Sequence, residues 1–349
     1  MPGHDMIVIG ASAGGVEALT HLVKNLPSDL NAAIFIVLHV PSHSTSVLPK
    51  ILNRAKTLPV SHAIHGEAIV PGQIYVAPPD YHLLVKSGHI HLSRGPRENS
   101  HRPAIDPLFR SAAQSYGQRV VGVILTGVLD DGTAGLMAVK ALGGVAVVQH
   151  PDDAMYNGMP RSAIDNVDVD YILSLSDIAN KLVHLVNTKV EAEAKNPVSS
   201  QIEFESDIAE LNIEAVENDS RPGEPSSYSC PDCGGTLWEL TENGLLRFRC
   251  RTGHAFSGES LIVTQSDALE DALWVALRAL EEKASLAHRM AKRLQNRSSS
   301  LSAHRLEQNA QDAEQSAALI RDLLLKRDDE SIAESQIIQA PESGNQDDN

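Results

Sequence analysis

Four short, nearly uninterrupted apolar runs constrain this chain more than any other feature: Met6–Gly10, Ala33–His39, Val120–Thr126 and Val145–Gln149. A strand that is apolar along its whole length has no face to give to water, so it must be covered on both sides. The segments between the runs, Gly14–Leu26, Ser46–Arg54, Leu108–Tyr116 and Thr133–Leu142, carry the spacing of helices. Strands alternating with helices in this way predict a doubly wound α/β fold with a mainly parallel sheet. One stretch departs from the rhythm. Gln73–Ala77, His82–Val85 and His89–Ser93 read as short strands, with an antiparallel hairpin turned at Ser87-Gly88.

Charge divides the chain where the rhythm stops. Residues 1–188 hold 13 Lys+Arg against 15 Asp+Glu, so most of the net −16 falls in residues 189–349. An acidic balance argues against non-specific nucleic-acid binding, which needs Lys and Arg to neutralise phosphates. No apolar run approaches the roughly 18–20 residues of a membrane span, so no membrane insertion is expected. The opening Met-Pro-Gly-His-Asp lacks a basic n-region, and three cysteines cannot close a disulfide framework. Both features suit a cytoplasmic protein. The 349 residues allow two or three domains of roughly 100–200 residues each.

The first strand runs directly into Gly10-Ala-Ser-Ala-Gly-Gly15. The spacing Gly10-x-Ser12-x-Gly14 suits a nucleophile elbow, in which a sharp strand-to-helix turn lifts a serine hydroxyl above the sheet edge. A Gly-rich turn at this position can also open a dinucleotide site. That reading fits poorly, because Ser12 stands where a second Gly is needed and the second strand ends in His39 rather than an acid. Ser12, His39 and Asp131 would all lie at the carboxyl edge of the sheet, where open α/β folds bind ligands. Their order along the chain differs from the Ser…Asp…His order of α/β-hydrolases. The residues alone carry the reading to a serine hydrolase on a doubly wound sheet.

A resemblance extends it. The stretches IGASAGGVEAL (9–19), VLHVPSHSTSVLPKILNR (37–54), IYVAPPDYHLLV (74–85), RPAIDPLFRSAA (102–113), LTGVLDDGTAGL (125–136) and GMPRSAI (158–164) resemble, in order, the catalytic domain of the chemotaxis protein-glutamate methylesterase (CheB-type) family. The resemblance implies hydrolysis of glutamyl methyl esters on methyl-accepting receptors, and deamidation of receptor glutamines, with no cofactor for catalysis. It implies Ser12 as nucleophile, His39 as general base and acid, Asp131 as the orienting acid, and backbone N–H groups of Ala13 and Val128 as oxyanion donors. Many relatives read T-G-M-G-x-D-G where this chain has TGVLDDG, so Leu129 replaces a Gly and Asp130 is the fallback for Asp131. Family members commonly begin with a receiver domain. With Ser12 so near the start of the sequence, a free-standing form without that phosphorylation switch is expected. The competing reading is a non-catalytic signalling adaptor with a vestigial esterase domain.

The remainder divides by composition. Residues 189–227 read as an acidic linker, with a short helix around Ile208–Val216. Residues 228–257 hold all three cysteines in the pattern Cys230-x₂-Cys233-x₁₆-Cys250-x₃-His254, which suits a closed structural zinc site in a ribbon turned at Asn243-Gly244. The alternative there is a metal-free knuckle in which His254 caps a helix. Apolar seams from Leu273 to Leu294 and from Leu306 to Leu324 predict an antiparallel helical hairpin over 258–327, followed by a disordered tail over 328–349. Signalling partners are expected to engage residues 189–349.

Overall fold

In the computed structural model the described residues are 3–190, 198–212, 215, 222–242, 244–295 and 300–339. They form two compact units, one up to Ile262 and one from Val263. No helix among the described residues is long and apolar enough to cross a membrane.

The four apolar runs become neighbouring strands of one sheet. Strands β1 (Met6–Ala11), β2 (Ala33–Leu38), β3 (Val60–His62), β4 (Ile74–Val76), β7 (Val120–Ile124), β8 (Val145–Gln149) and β9 (Tyr171–Leu173) lie in the order β3-β4-β2-β1-β7-β8-β9. Every pair in that sheet is parallel. Alternate side chains feed two cores. Ile7, Ile9 and Ala11 join α1 (Gly15–Lys24) and α6 (Leu175–Asn187) on one face. Met6 and Val8 join α3 (Ile105–Tyr116), α4 (Thr133–Ala141) and α5 (Gly158–Asn166) on the other. The short α2 (Leu48–Leu52) completes the first layer. Residues 82–86 (β5) and 89–93 (β6) form the antiparallel hairpin. The segment 74–76, grouped with that hairpin on sequence, instead pairs with β2 and β3 in the parallel sheet. Its residues Ile74, Tyr75 and Val76 are buried, as an interior strand requires.

The acidic segment is not only a linker. Residues Ser200–Ala209 form α7, with Ser199 accepting a hydrogen bond from the Ile202 N–H at its start. This helix ends where the expected one was to begin, with Leu211 at φ +61; residues 213, 214 and 216 lie outside the described residues. Ile202 and Ile208 are buried. Glu205, within the stretch expected to be an acidic linker, is 2% exposed and faces arginines. Strand β10 (Glu224–Ser229) then opens a four-stranded sheet with β11 (Thr236–Glu242), β12 (Leu245–Cys250) and β13 (Ala255–Ser257). The Cys-containing module therefore begins before residue 228 and shares one compact unit with the α/β sheet.

The second unit is helical. Helix α8 (Gly258–Gln295) enters it, and α9 (Ser300–Gln339) forms the rest. Leu277, Ala317 and Leu324 pack together, His288 pairs with Glu307 and Glu314, and Glu281 pairs with Arg321. Those pairings run in opposite directions along the two helices. The backbone of α9 stays helical to Gln339, into the stretch expected to be disordered, and residues 340–349 lie outside the described residues.

Candidate active site

Strand β1 ends at Ala11 and the chain turns at Ser12 to enter α1 through Gly14, whose φ of +72 is a left-handed value that glycine adopts without a Cβ clash. The turn is pinned on both sides. Ser12 N–H donates to the Thr126 carbonyl at 3.0 Å, and its own carbonyl accepts from Gly15 N–H at 2.9 Å. Thr126 Oγ1 donates to the Ala13 carbonyl at 2.9 Å, tying the ends of β1 and β7 together. Gly127 must be small, because a Cβ there would lie 2.9 Å from Ser12 Cβ and 2.0 Å from Met159 Sδ.

His39 follows β2 at the same sheet edge. Its Nδ1 stands 3.1 Å from Ser12 Oγ, and its Nε2 stands 2.7 Å from Asp131 Oδ2. In the better-known Ser-His-Asp hydrolases Nε2 faces the serine and Nδ1 the acid; here the ring is used the other way round. Because Asp131 is held as an anion, Nε2 is the donor to it, and in the neutral ring Nδ1 is left to accept from Ser12. Asp131 is 3% exposed and accepts four hydrogen bonds, from His39, from Asn99 Nδ2 at 2.9 Å, and from the N–H groups of Ile105 at 2.7 Å and Asp106 at 3.3 Å. Burial alone would raise its pKa. The His39 hydrogen bond and charge, with the Ile105 amide, outweigh burial and hold the carboxyl well below its usual range.

The neighbouring acids behave oppositely. Asp130 points away from His39 and accepts from Ser257 Oγ at 2.7 Å; burial pushes its pKa up to about 6. Asp106 is pushed well above the usual carboxylate range by burial and by the charge of Asp131, while it accepts from the Gly132 and Gly135 amides. Of the two consecutive aspartates, Asp131 is therefore the one facing His39. Leu129 holds φ +58. A left-handed conformation costs a non-glycine residue about 1–2 kcal/mol. Beside the turn, the N–H groups of Ala13 and Val128 have no hydrogen-bond partner among the described residues.

His101 was not singled out on sequence. It stacks on His39 with ring centroids 3.6 Å apart and planes 11° apart, and burial and the His39 charge lower its pKa to about 4. It therefore stays neutral beside His39 near pH 7. An open cleft of about 350 Å³ runs from these rings past Val40 and Ser42 to Arg97 and Ser100.

The CheB methylesterase family model matches residues 7–182, half of the chain. The chain belongs to the CheB methylesterase family. A putative protein-glutamate methylesterase/protein-glutamine glutaminase of Leptospira interrogans (strain Fiocruz L1-130) is 42% identical over 189 residues, covering 54% of this chain and 98% of the relative. A protein-glutamate methylesterase/protein-glutamine glutaminase 1 of Burkholderia pseudomallei (strain 1710b) is 41% identical over 182 residues, covering 51% of this chain and 50% of that relative. Among solved structures, the Thermotoga maritima CheB methylesterase catalytic domain aligns with a TM-score of 0.51 at 36% identity, over 52% of this chain and 98% of that one. The CheB match stops before α7 and the Cys-containing module.

That module holds Cys230, Cys233, Cys250 and His254 with their ligand atoms all within 4.8 Å of one another. The Cys233 and Cys250 sulfurs are 3.6 Å apart, and His254 Nδ1 lies 3.6 Å from Cys250 and 3.7 Å from Cys230. A tetrahedron with Zn–S of about 2.3 Å and Zn–N of about 2.0 Å has edges of roughly 3.5–3.8 Å, so these three separations are compatible with a zinc site. The sequence alternative, His254 as a helix cap, is not what the geometry gives, since its ring faces the thiols.

A buried ion cluster joins the module to the CheB fold. Glu98 accepts from Arg110 at 2.8 Å and Arg249 at 3.1 Å, and Glu205 accepts from Arg247 at 2.8 and 2.9 Å. Burial opposes both carboxylates, but the arginines overcome it: Arg110 and Arg249 lower Glu98, and Arg247 and Arg249 hold Glu205 at about 2.

Proposed function

We propose that this protein is a protein-glutamate methylesterase with protein-glutamine glutaminase activity, working through Ser12, His39 and Asp131. The observation that carries the reading is the hydrogen-bonded line Ser12 Oγ–His39 Nδ1–His39 Nε2–Asp131 Oδ2 at the carboxyl edge of the sheet. Ser12 Oγ attacks the ester carbonyl of a methylated glutamate while His39 Nδ1 takes its proton. The imidazolium is stabilised by Asp131, which keeps its charge. The oxyanion is received by the N–H groups of Ala13 and Val128 at the start of α1 and in the loop after β7. On collapse His39 gives its proton to the departing methoxide, releasing methanol, or to the departing amine of a glutamine, releasing ammonia. Water, activated by the same Nδ1, then cleaves the acyl-enzyme and restores Ser12. No cofactor enters these steps.

The substrates are methyl-accepting receptor proteins, and reduced cysteines at metal-binding spacing support a cytoplasmic site of action. Cys230, Cys233, Cys250 and His254 would hold a structural zinc ion, closing a ribbon of about thirty residues that has too little core to fold unaided. The helical pair after it is a hairpin offered to signalling partners. A vestigial adaptor gains no support, since all three site residues stand in hydrogen-bonding reach.

The deciding experiment is methanol release from methylated receptor by wild type and Ser12→Ala. Loss in the variant is expected, and equal release by both would remove the reading. For the metal, one zinc per chain is expected, and a chelator should expose residues 224–257 to protease. Metal-free protein with the same protection would overturn the zinc assignment.

A further inference from the structure

Asn99 lies outside the proposed triad yet contacts its acid. It is 6% exposed and holds φ +49, followed by Ser100 at φ +65, two consecutive left-handed residues that are not glycine. Its Nδ2 donates to Asp131 Oδ1 at 2.9 Å and to Asp106 Oδ2 at 3.1 Å. Its Oδ1 accepts from the Ser257 backbone N–H at 2.9 Å and from Ser260 Oγ at 3.0 Å. Its own N–H donates to the Ala255 carbonyl at 2.8 Å. Every partner on the second side comes from β13 and the first turn of α8, which follow His254 directly.

An amide side chain can present either end to a neighbour, and only its partners decide which. A backbone N–H can only donate, so the Ser257 N–H fixes Oδ1 on the module side. That leaves Nδ2 facing Asp131. Without β13, Asn99 is free to turn its oxygen toward a buried carboxylate, removing a donor and setting two acceptors against each other.

We propose that the C-terminal module positions the catalytic acid: β13 and Ser260 lock the Asn99 amide so that it donates to Asp131, which in turn holds the His39 ring in line with Ser12. Asn99 and Ser260 are positioning residues for the hydrolysis, and the module is part of the working enzyme. This rests on the Ser12–His39–Asp131 reading above.

The test uses the full chain with Asn99→Ala and the milder Ser260→Ala. Two readouts are taken: the rate at which a fluorophosphonate labels Ser12, which needs no receptor, and kcat and KM for methanol release. Far-UV circular dichroism and zinc content establish folding. Losing the Asn99 hydrogen bond to the charged Asp131 should slow labelling and lower kcat about a hundredfold for Asn99→Ala, and losing the neutral Ser260–Asn99 hydrogen bond should do so about tenfold for Ser260→Ala, with KM within about twofold. Folded Asn99→Ala with wild-type labelling and kcat would overturn the proposal, as would a change confined to KM. If Asn99→Ala does not fold, Ser260→Ala decides in the same way. A wild-type chain that labels at Ser12 but releases no methanol refutes the receptor substrate alone, and the labelling comparison still decides the positioning role. A wild-type chain that does not label removes both.

Discussion

The two larger sheets of the first unit are built on opposite principles. The parallel sheet is closed by apolar burial on both faces, with Ile7, Ile34 and Val121 on one and Val8, Phe35 and Val120 on the other all at 0% exposure. The four-stranded sheet has a core of six buried residues, two of them cysteines. What attaches it is charge: three arginines around Glu98 and Glu205, and the Asn99 amide between Ser257 and Asp131. Apolar burial is non-directional and tolerates exchange of one aliphatic for another. A buried polar junction is directional and fails when one member is removed. The active site lies where these two kinds of construction meet, and substitutions on either side should reveal which one holds it.

The largest effect belongs to the triad. Asp131→Asn should lower turnover about 10⁴-fold, whereas Asp130→Asn should change it less than about tenfold, both measured by methanol release. The reverse ranking would transfer the role to Asp130 and undo the geometry described for His39.

Next comes the junction. Glu205→Ala leaves Arg247 buried without its paired carboxylate, and should destabilise the protein by about 3–5 kcal/mol in urea unfolding. An effect below about 1 kcal/mol would mean that apolar contacts hold the module after all, and the contrast between the sheets would collapse.

Asp130 gives a pH signature. Its pKa is raised from 3.8 to about 6 by burial, so the folded state favours the protonated form. That contribution is fully present below about pH 4 and is lost as the pH rises through about 6. Asp130→Asn should therefore be more stable than wild type by about 2–3 kcal/mol at pH 7, with the gap closing below pH 4. A gap that does not depend on pH would show that Asp130 is no more buried in its charged form than an ordinary surface acid.

The smallest effect is at Leu129. Leu129→Gly relieves the left-handed φ but adds freedom to the unfolded chain, leaving a net gain of up to about 1 kcal/mol in thermal or urea unfolding, with turnover within about threefold. A loss of stability instead would mean that the Leu129 side chain packs well enough to outweigh its backbone strain.

Much of the parallel sheet could be read along the chain, because strands buried on both faces leave continuous apolar runs. The extent of 145–149 agrees to the residue, and so does that of 89–93 in the separate antiparallel hairpin, where the Ser87-Gly88 turn was the signal. Short strands such as 60–62 and 171–173 left no such signal; they are three residues each and owe their state to neighbours. The segment 74–76 was readable as a strand but not as a parallel one, since pairing partners are not written in a strand's own residues. Helix α7 was hidden by its acids. Glu205 looks like any solvated glutamate until Arg110 is brought to it from 95 residues upstream and Arg247 and Arg249 from over 40 downstream.

By itself the sequence determined the doubly wound sheet, the turn that presents Ser12, and a cysteine and histidine spacing suited to a tetrahedral ion. Those are properties of local pattern: apolar period, glycines at a bend, ligands at fixed offsets. Only the tertiary structure decided that Asp131 rather than Asp130 faces His39, that His101 stacks on His39, and that Asn99 joins the module to the acid. Each of these depends on which end of a short side chain meets a partner distant in sequence, and a one-residue difference along the chain becomes an opposite direction in space.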